Sequence, residues 1–118
     1  MIRVLSENEY NELADAAEGQ TLDAVLCYSM PDLCPPEFSF SDRREIFLWA
    51  LERLLCDGRL KLAKHGKFLE GSIEEQVESF RQVFPQTEIE MEDGIWFFDE
   101  ICPGGAVWVL SDGSLEWT

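Results

Sequence analysis

The period of the apolar residues changes along this chain, and that change decides which layers it can build. Through the first half they recur three and four apart, as on one face of a helix. From Arg59 they alternate, as on a strand, and after one further helical stretch the last third reads as strands and turns. Helices followed by strands predict an α+β fold, with N-terminal helices packed on a C-terminal antiparallel β-meander and a small central hairpin between them. With 118 residues, 46% of them hydrophobic, the chain can bury one respectable core and is short for two, so residues 1–118 are expected to form a single domain.

The local signals are mostly caps and turns. Ser6-Glu7-Asn8-Glu9 fits a capping box, followed by Leu13, Ala14 and Ala17 at helical spacing until Gly19. Thr21 can cap a second helix, Leu22 to Met30, which Pro31 ends, and the linker Pro31-Asp32-Leu33-Cys34-Pro35-Pro36 must be irregular. Ser41 is placed to cap the strongest helix, whose apolar face carries Ile46, Phe47, Trp49, Ala50, Leu51, Leu54 and Leu55 before Asp57-Gly58 closes it. A basic hairpin follows, with Leu60 and Leu62 alternating against Arg59, Lys61 and Lys64, a turn at His65-Gly66, and Phe68-Leu69 returning. Ser72-Ile73-Glu74-Glu75 is a second capping box, opening a helix with Val77, Phe80, Val83 and Phe84 on one side and Pro85 as its stop. Gln86 to Asp93 reads equally as a helical turn or an acidic loop. Ile95 to Asp99, Ala106 to Leu110 and Ser114 to Thr118 read as the three strands of the meander, the last two joined by a type I′ turn at Asp112-Gly113 that would bring Leu110 near Leu115.

Charge narrows the partners. There are 24 acids and 9 bases, a net charge of −15, and the bases are concentrated between Arg43 and Lys67. The segments to Phe40, from Ser41 to Gly71, and from Ser72 onward carry −7, +2 and −10. Such a surface repels nucleic acid and anionic membranes and accelerates encounter with a basic protein, so neither nucleic acid nor membrane is expected as a partner. The start of the chain lacks the apolar stretch of a signal peptide, which places the expected location in the cytoplasm. Cys27, Cys34, Cys56 and Cys102 are then expected as reduced thiols.

No phosphate-binding, nucleophile-elbow or dinucleotide motif occurs, and no metal or other cofactor is expected. A hydrolase would have to use Cys102 or Cys34 with His65, the sole histidine, which sits in a turn beside Lys64 with no carboxylate next to it in sequence. Catalysis is therefore not expected. The acids Glu88, Glu90, Glu92 and Asp93, and then Asp99 and Glu100, form either a solvated rim or a patch that faces a protein. Trp96, Trp108 and Trp117 fall in or beside the meander. Were one face of it left open, Trp96 and Trp108 among Asp99, Glu100 and Glu116 would have the makeup of an interface, with rigid aromatic anchors surrounded by charge. Those nine residues (Glu88, Glu90, Glu92, Asp93, Trp96, Asp99, Glu100, Trp108 and Glu116) are the sequence candidates for partner binding.

The run Lys67-Phe68-Leu69-Glu70-Gly71-Ser72, the helix to Phe84-Pro85, and above all Gly94-Ile95-Trp96-Phe97-Phe98-Asp99-Glu100-Ile101-Cys102-Pro103-Gly104-Gly105 resemble a family of small bacterial proteins classed as a domain of unknown function. The resemblance spans about Arg43 to Trp117 and leaves the first forty residues outside it. The family is similar to the immunity proteins of contact-dependent growth inhibition systems, and some relatives are encoded beside toxins. The resemblance implies a non-catalytic immunity protein that binds the C-terminal domain of a cognate toxin and blocks its basic surface, as on a nuclease. The alternative is an acidic adaptor or regulator that binds a basic host protein. It carries over no catalytic residues.

Overall fold

The computed structural model describes residues 5–29 and 39–118. Its elements are α1 (Glu7–Ala17), α2 (Asp23–Cys27), α3 (Phe40–Cys56), β1 (Leu60–Lys64), β2 (Lys67–Phe68), α4 (Ile73–Val83), α5 (Glu88–Met91), a 3₁₀ helix (Glu92–Phe98), β3 (Gly105–Val109) and β4 (Leu115–Trp117). Helices pack with a four-stranded antiparallel sheet of order β2-β1-β3-β4, an α+β fold. The linker Pro31–Pro36, with Cys34, lies outside the described residues, as does Met30, the expected end of the second helix.

Ser6 and Ser72 both close full capping boxes, with Glu9 and Glu75 reaching back to the cap amide, so α1 and α4 start where their sequences predict. α3 starts earlier than expected. Its N-cap is Ser39, whose hydroxyl accepts from the amide of Asp42 while the Asp42 carboxylate accepts from the amide of Ser39. The three-residue spacing to an acid belongs to Ser39, whereas Ser41 has Arg44 at that position. α2 is short, and Thr21 gives it no cap of the usual kind: its hydroxyl donates to the Asp23 carboxylate, and Leu22 is the N-cap residue.

One hydrophobic cluster runs from Leu5 to Trp108 and contains the inner faces of α1, α2, α3 and α4 and the inward residues of β1 and β3. Phe47 on α3 is its aromatic hub, with ring centroids 5.5 Å from Phe84 and Phe97 and 6.4 Å from Phe80. Full burial of each such ring contributes roughly 1.5–3 kcal/mol relative to exposure. Polar tethers hold α1 to the end of α3: Tyr10 Oη donates to Asp57 at 2.9 Å, and the Arg53 guanidinium lies 4.2 Å over the Tyr10 ring. Burial, with the bond to Asp57, pushes the Tyr10 phenol well above its ordinary pKa.

The sheet differs from the expected meander in one strand. Leu60 pairs with Trp108 and Ala63 with Gly105, so β1 of the basic hairpin takes the central place beside β3. The segment Ile95 to Asp99 is not a strand: the 3₁₀ helix covers it through Phe98, and Asp99 caps that helix. A strand would send the adjacent Trp96 and Phe97 to opposite faces, whereas this fold buries both. The β1–β2 turn is as expected, with His65 and Gly66 at φ of 53° and 78°. The β3–β4 turn is one residue longer than expected. Only Gly113 has positive φ there, the amide of Leu110 donates to the carbonyl of Ser114, and Leu115 pairs with Val109 in place of Leu110. That is a type I turn closed by a glycine bulge.

Candidate functional site

The 3₁₀ helix and the turn after it carry three of the four most exposed large apolar side chains of the described surface. At three residues per turn, side chains three apart eclipse one another. Ile95 and Phe98, one turn apart on the helix, are 62% and 65% exposed, and Ile101 in the turn beyond it is 56% exposed; Glu92, with φ of 53°, is exposed at the start of the helix. Ile89 on α5 is more exposed still. The opposite side is pinned: the Trp96 ring lies 5.2 Å from Phe84 and 5.2 Å from Phe97. Gly94 fits the helix against α2, because it has φ of +95° and a Cβ there would stand 3.1 Å from Cβ of Asp23.

The turn from Asp99 to Gly105 is held as firmly. The amide of Asp99 donates to the carbonyl of Trp96, and the amides of Ile101 and Cys102 donate to the side chain and carbonyl of Asp99 at 3.1 and 3.0 Å. Lys64, at the end of β1, donates to the carbonyls of Glu100 and Cys102 and pairs with the Glu100 carboxylate at 3.7 Å. His65 stands 3.3 Å from the same carboxylate. Gly104 lets the turn close on the hairpin, since a Cβ would meet the carbonyl oxygen of Ala63 at 3.0 Å. Cys102 is buried, and its Sγ donates to the carbonyl of Gly104 at 3.4 Å. Burial pushes its thiol up to about 11, so it is a protonated core residue at neutral pH.

The basic middle of the chain is occupied by acids drawn from both flanks. Arg53 Nη1 donates to Glu7 at 2.9 Å, and Arg59 stands 3.2 Å from Asp15 and 3.6 Å from Glu18. Arg44 pairs with Glu45, Lys64 with Glu100, and Arg81 with Glu45 and Glu78. Among the described residues no ion pair reaches Glu90, Glu92 or Asp99, all exposed. Arg44, Arg53, Arg59, Lys64 and Arg81 are thus held in pairs within the chain, and Glu90, Glu92 and Asp99 are left facing solvent.

The nine sequence candidates divide accordingly. Glu90, Glu92, Asp99 and Glu100 are exposed on α5, the 3₁₀ helix and its turn, next in the chain to the exposed Ile95, Phe98 and Ile101. The backbones of Glu88 and Asp93 belong to α5 and the 3₁₀ helix, and their side chains lie outside what the structure describes. Glu116 is exposed but sits elsewhere: it pairs with Trp108 level with Leu60, its carboxylate against Gly19, whereas Glu100 is at the Lys64 end of β1. Trp96 and Trp108 require a correction. They are 7% and 0% exposed, packed in the core, and Trp108 Nε1 donates to the carbonyl of Gln20 at 2.8 Å. Neither offers an indole to a partner. Ile95, Phe98 and Ile101 occupy the exposed positions in their place, and no local signal marks them, because Trp96, Phe97 and Phe98 read as a strand.

Residues 55–118 match the family described as "Protein of unknown function, DUF596", so the chain belongs to that family. The fold is similar to a solved structure from Neisseria meningitidis, an uncharacterized protein conserved in bacteria. The two are 27% identical with a TM-score of 0.71, over 93% of this chain and 90% of that one. That likeness extends across the N-terminal helices, which precede the region of the family match. No curated protein matches the chain. Among the described residues no helix is long and apolar enough to cross a membrane.

Proposed function

We propose that this protein works by binding, without catalysis, and that it neutralises the C-terminal domain of a cognate contact-dependent growth inhibition toxin by covering its basic surface in the cytoplasm. The reading is carried by the distribution of charge. Among the described residues, five lysines and arginines pair with carboxylates of the same chain, and the acids left over face outward with a net charge of −15 behind them. A basic substrate-binding surface, such as a nuclease presents to phosphates, is the complement of such a protein. The exposed apolar side chains among those acids add what steering charge lacks, since a tight inhibitor also needs desolvated anchors. The buried, protonated Cys102 is consistent with a protein that uses no thiol nucleophile.

The test is to express the chain in cells that make the toxin domain encoded immediately upstream, scoring survival and co-purification. Survival with a stable complex is the expected result. Death of the cells with no complex overturns the assignment for that pair.

A further inference from the structure

We infer that the stripe Ile95, Phe98 and Ile101 is the docking surface, and that its occupant is a folded basic protein domain that receives Phe98 in an apolar pocket and lays lysines and arginines over Glu92 and Asp99. This rests on the proposed function and adds to it the place and the chemistry of contact.

Three observations converge on this surface. First, the exposure is not a by-product of packing. The residues that alternate with the stripe, Gly94, Trp96 and Phe97, are buried, so the helix divides cleanly into a pinned side and an apolar outer side. Exposed apolar patches rimmed by polar residues mark interaction sites, because leaving them in water is unfavourable. Second, the stripe is preorganised. The aromatic cluster beneath it and the Asp99 turn fix it, with Lys64 clasping the far end at the Cys102 carbonyl, 2.9 Å away. A surface ordered beforehand loses little freedom on binding. Third, charge selects the occupant. Glu90, Glu92 and Asp99 border the stripe and join no ion pair among the described residues. A second copy of this chain would bring the same acids against one another, and an anionic membrane or nucleic acid would be repelled likewise. A partner with cations around an apolar pocket gains on both counts.

The outer face of the sheet, with Phe68, Leu115 and Trp117, is the competing surface and serves as the control. The full chain carrying Ile95→Ser with Phe98→Ser is titrated by calorimetry against the toxin domain encoded immediately upstream, beside wild type and Leu115→Ser. Urea unfolding of each variant checks that the fold is kept. The expected result is a loss of roughly thirtyfold or more for the stripe variant, as for truncated central anchors, and a change below about threefold for Leu115→Ser. Glu92→Gln with Asp99→Asn is expected to slow association and reduce its dependence on salt, leaving dissociation nearly unchanged. Hydrogen exchange on the wild-type complex gives a readout that needs no variant, and protection is expected over residues 92–101. Wild-type affinity in a folded stripe variant, or protection confined to β4, overturns the docking surface and leaves the proposed function standing. Failure of the wild-type chain to bind the toxin domain removes the proposed function, and this inference with it.

Discussion

The rings of Phe68 and Trp117 meet with centroids 5.2 Å apart, although they stand on β2 and β4, the two edges of the sheet. Three strand spacings, about 14 Å, separate those edges in a flat sheet, so the side chains must reach toward each other across the outer face. The register puts Ala63 and Val107 beneath them, and both are buried although they point away from the helices. Lys61 completes the cover, its Nζ 5.5 Å from the Phe68 ring centroid. This pair is therefore expected to stabilise the sheet. Trp117→Ala and Phe68→Ala should each cost about 1–2 kcal/mol in urea unfolding, and the double variant should reveal a coupling of roughly 0.5–1.5 kcal/mol. Additive losses would mean that the rings act independently.

Trp108 ties β3 to the loop between α1 and α2 through a single donor. Trp108→Phe keeps most of the apolar volume but leaves the Gln20 carbonyl without its indole partner, at a cost of about 1–3 kcal/mol. The loss should appear in the unfolding midpoint, while affinity for a partner, measured on the folded fraction, stays at the wild-type value. Reduced affinity with unchanged stability would return Trp108 to the contact surface.

What could be read from the sequence follows the range of the interactions involved. The boxes at Ser6 and Ser72 are complete within four residues, so α1 and α4 were legible to the residue at their starts. The start of α3 turns on which serine has an acid three positions on: Ser39 has Asp42 there, whereas Ser41 has Arg44. The 3₁₀ helix was not legible, because Trp96, Phe97 and Phe98 favour strands locally and only the aromatic cluster of Phe47, Phe80 and Phe84 bends the segment into a turn that buries two neighbours. Nor was the Leu60–Trp108 pairing, which joins residues nearly half the chain apart. The candidate site inherited that gap: its acids were recognised from composition, but its apolar anchors depend on a helix that local propensity argues against.

Thiol reactivity should separate the cysteines by environment. Cys27 and Cys56 are exposed, whereas Cys102 is buried with its thiol raised to about 11. Brief treatment of the folded protein with iodoacetamide near pH 7.5 is expected to modify Cys27 and Cys56 and spare Cys102, as read by peptide mass spectrometry, with Cys102 labelled only in denaturant. Early labelling of Cys102 would reopen its candidacy as a nucleophile.

Glu45 joins α3 to α4 by receiving Arg81 Nη1 on both carboxylate oxygens at 2.8 Å, with Arg44 at 3.2 Å. Burial alone would raise its pKa, but the bonds and charges of Arg81 and Arg44 outweigh it, and the folded value lies below the usual one. A carboxyl whose pKa is depressed on folding stabilises the protein above its unfolded value, near 4.3, and that contribution is lost as pH falls through the folded value. Glu45→Gln should accordingly lower the urea midpoint at pH 7, and the gap from wild type should narrow as pH is taken below about 4. The expected sign is fixed by protonation: at low pH wild-type Glu45 is itself neutral, so the two proteins converge. A gap that holds constant from pH 7 to pH 3 would show that the α3–α4 pair contributes through shape alone and that its charge carries no part of the acid sensitivity.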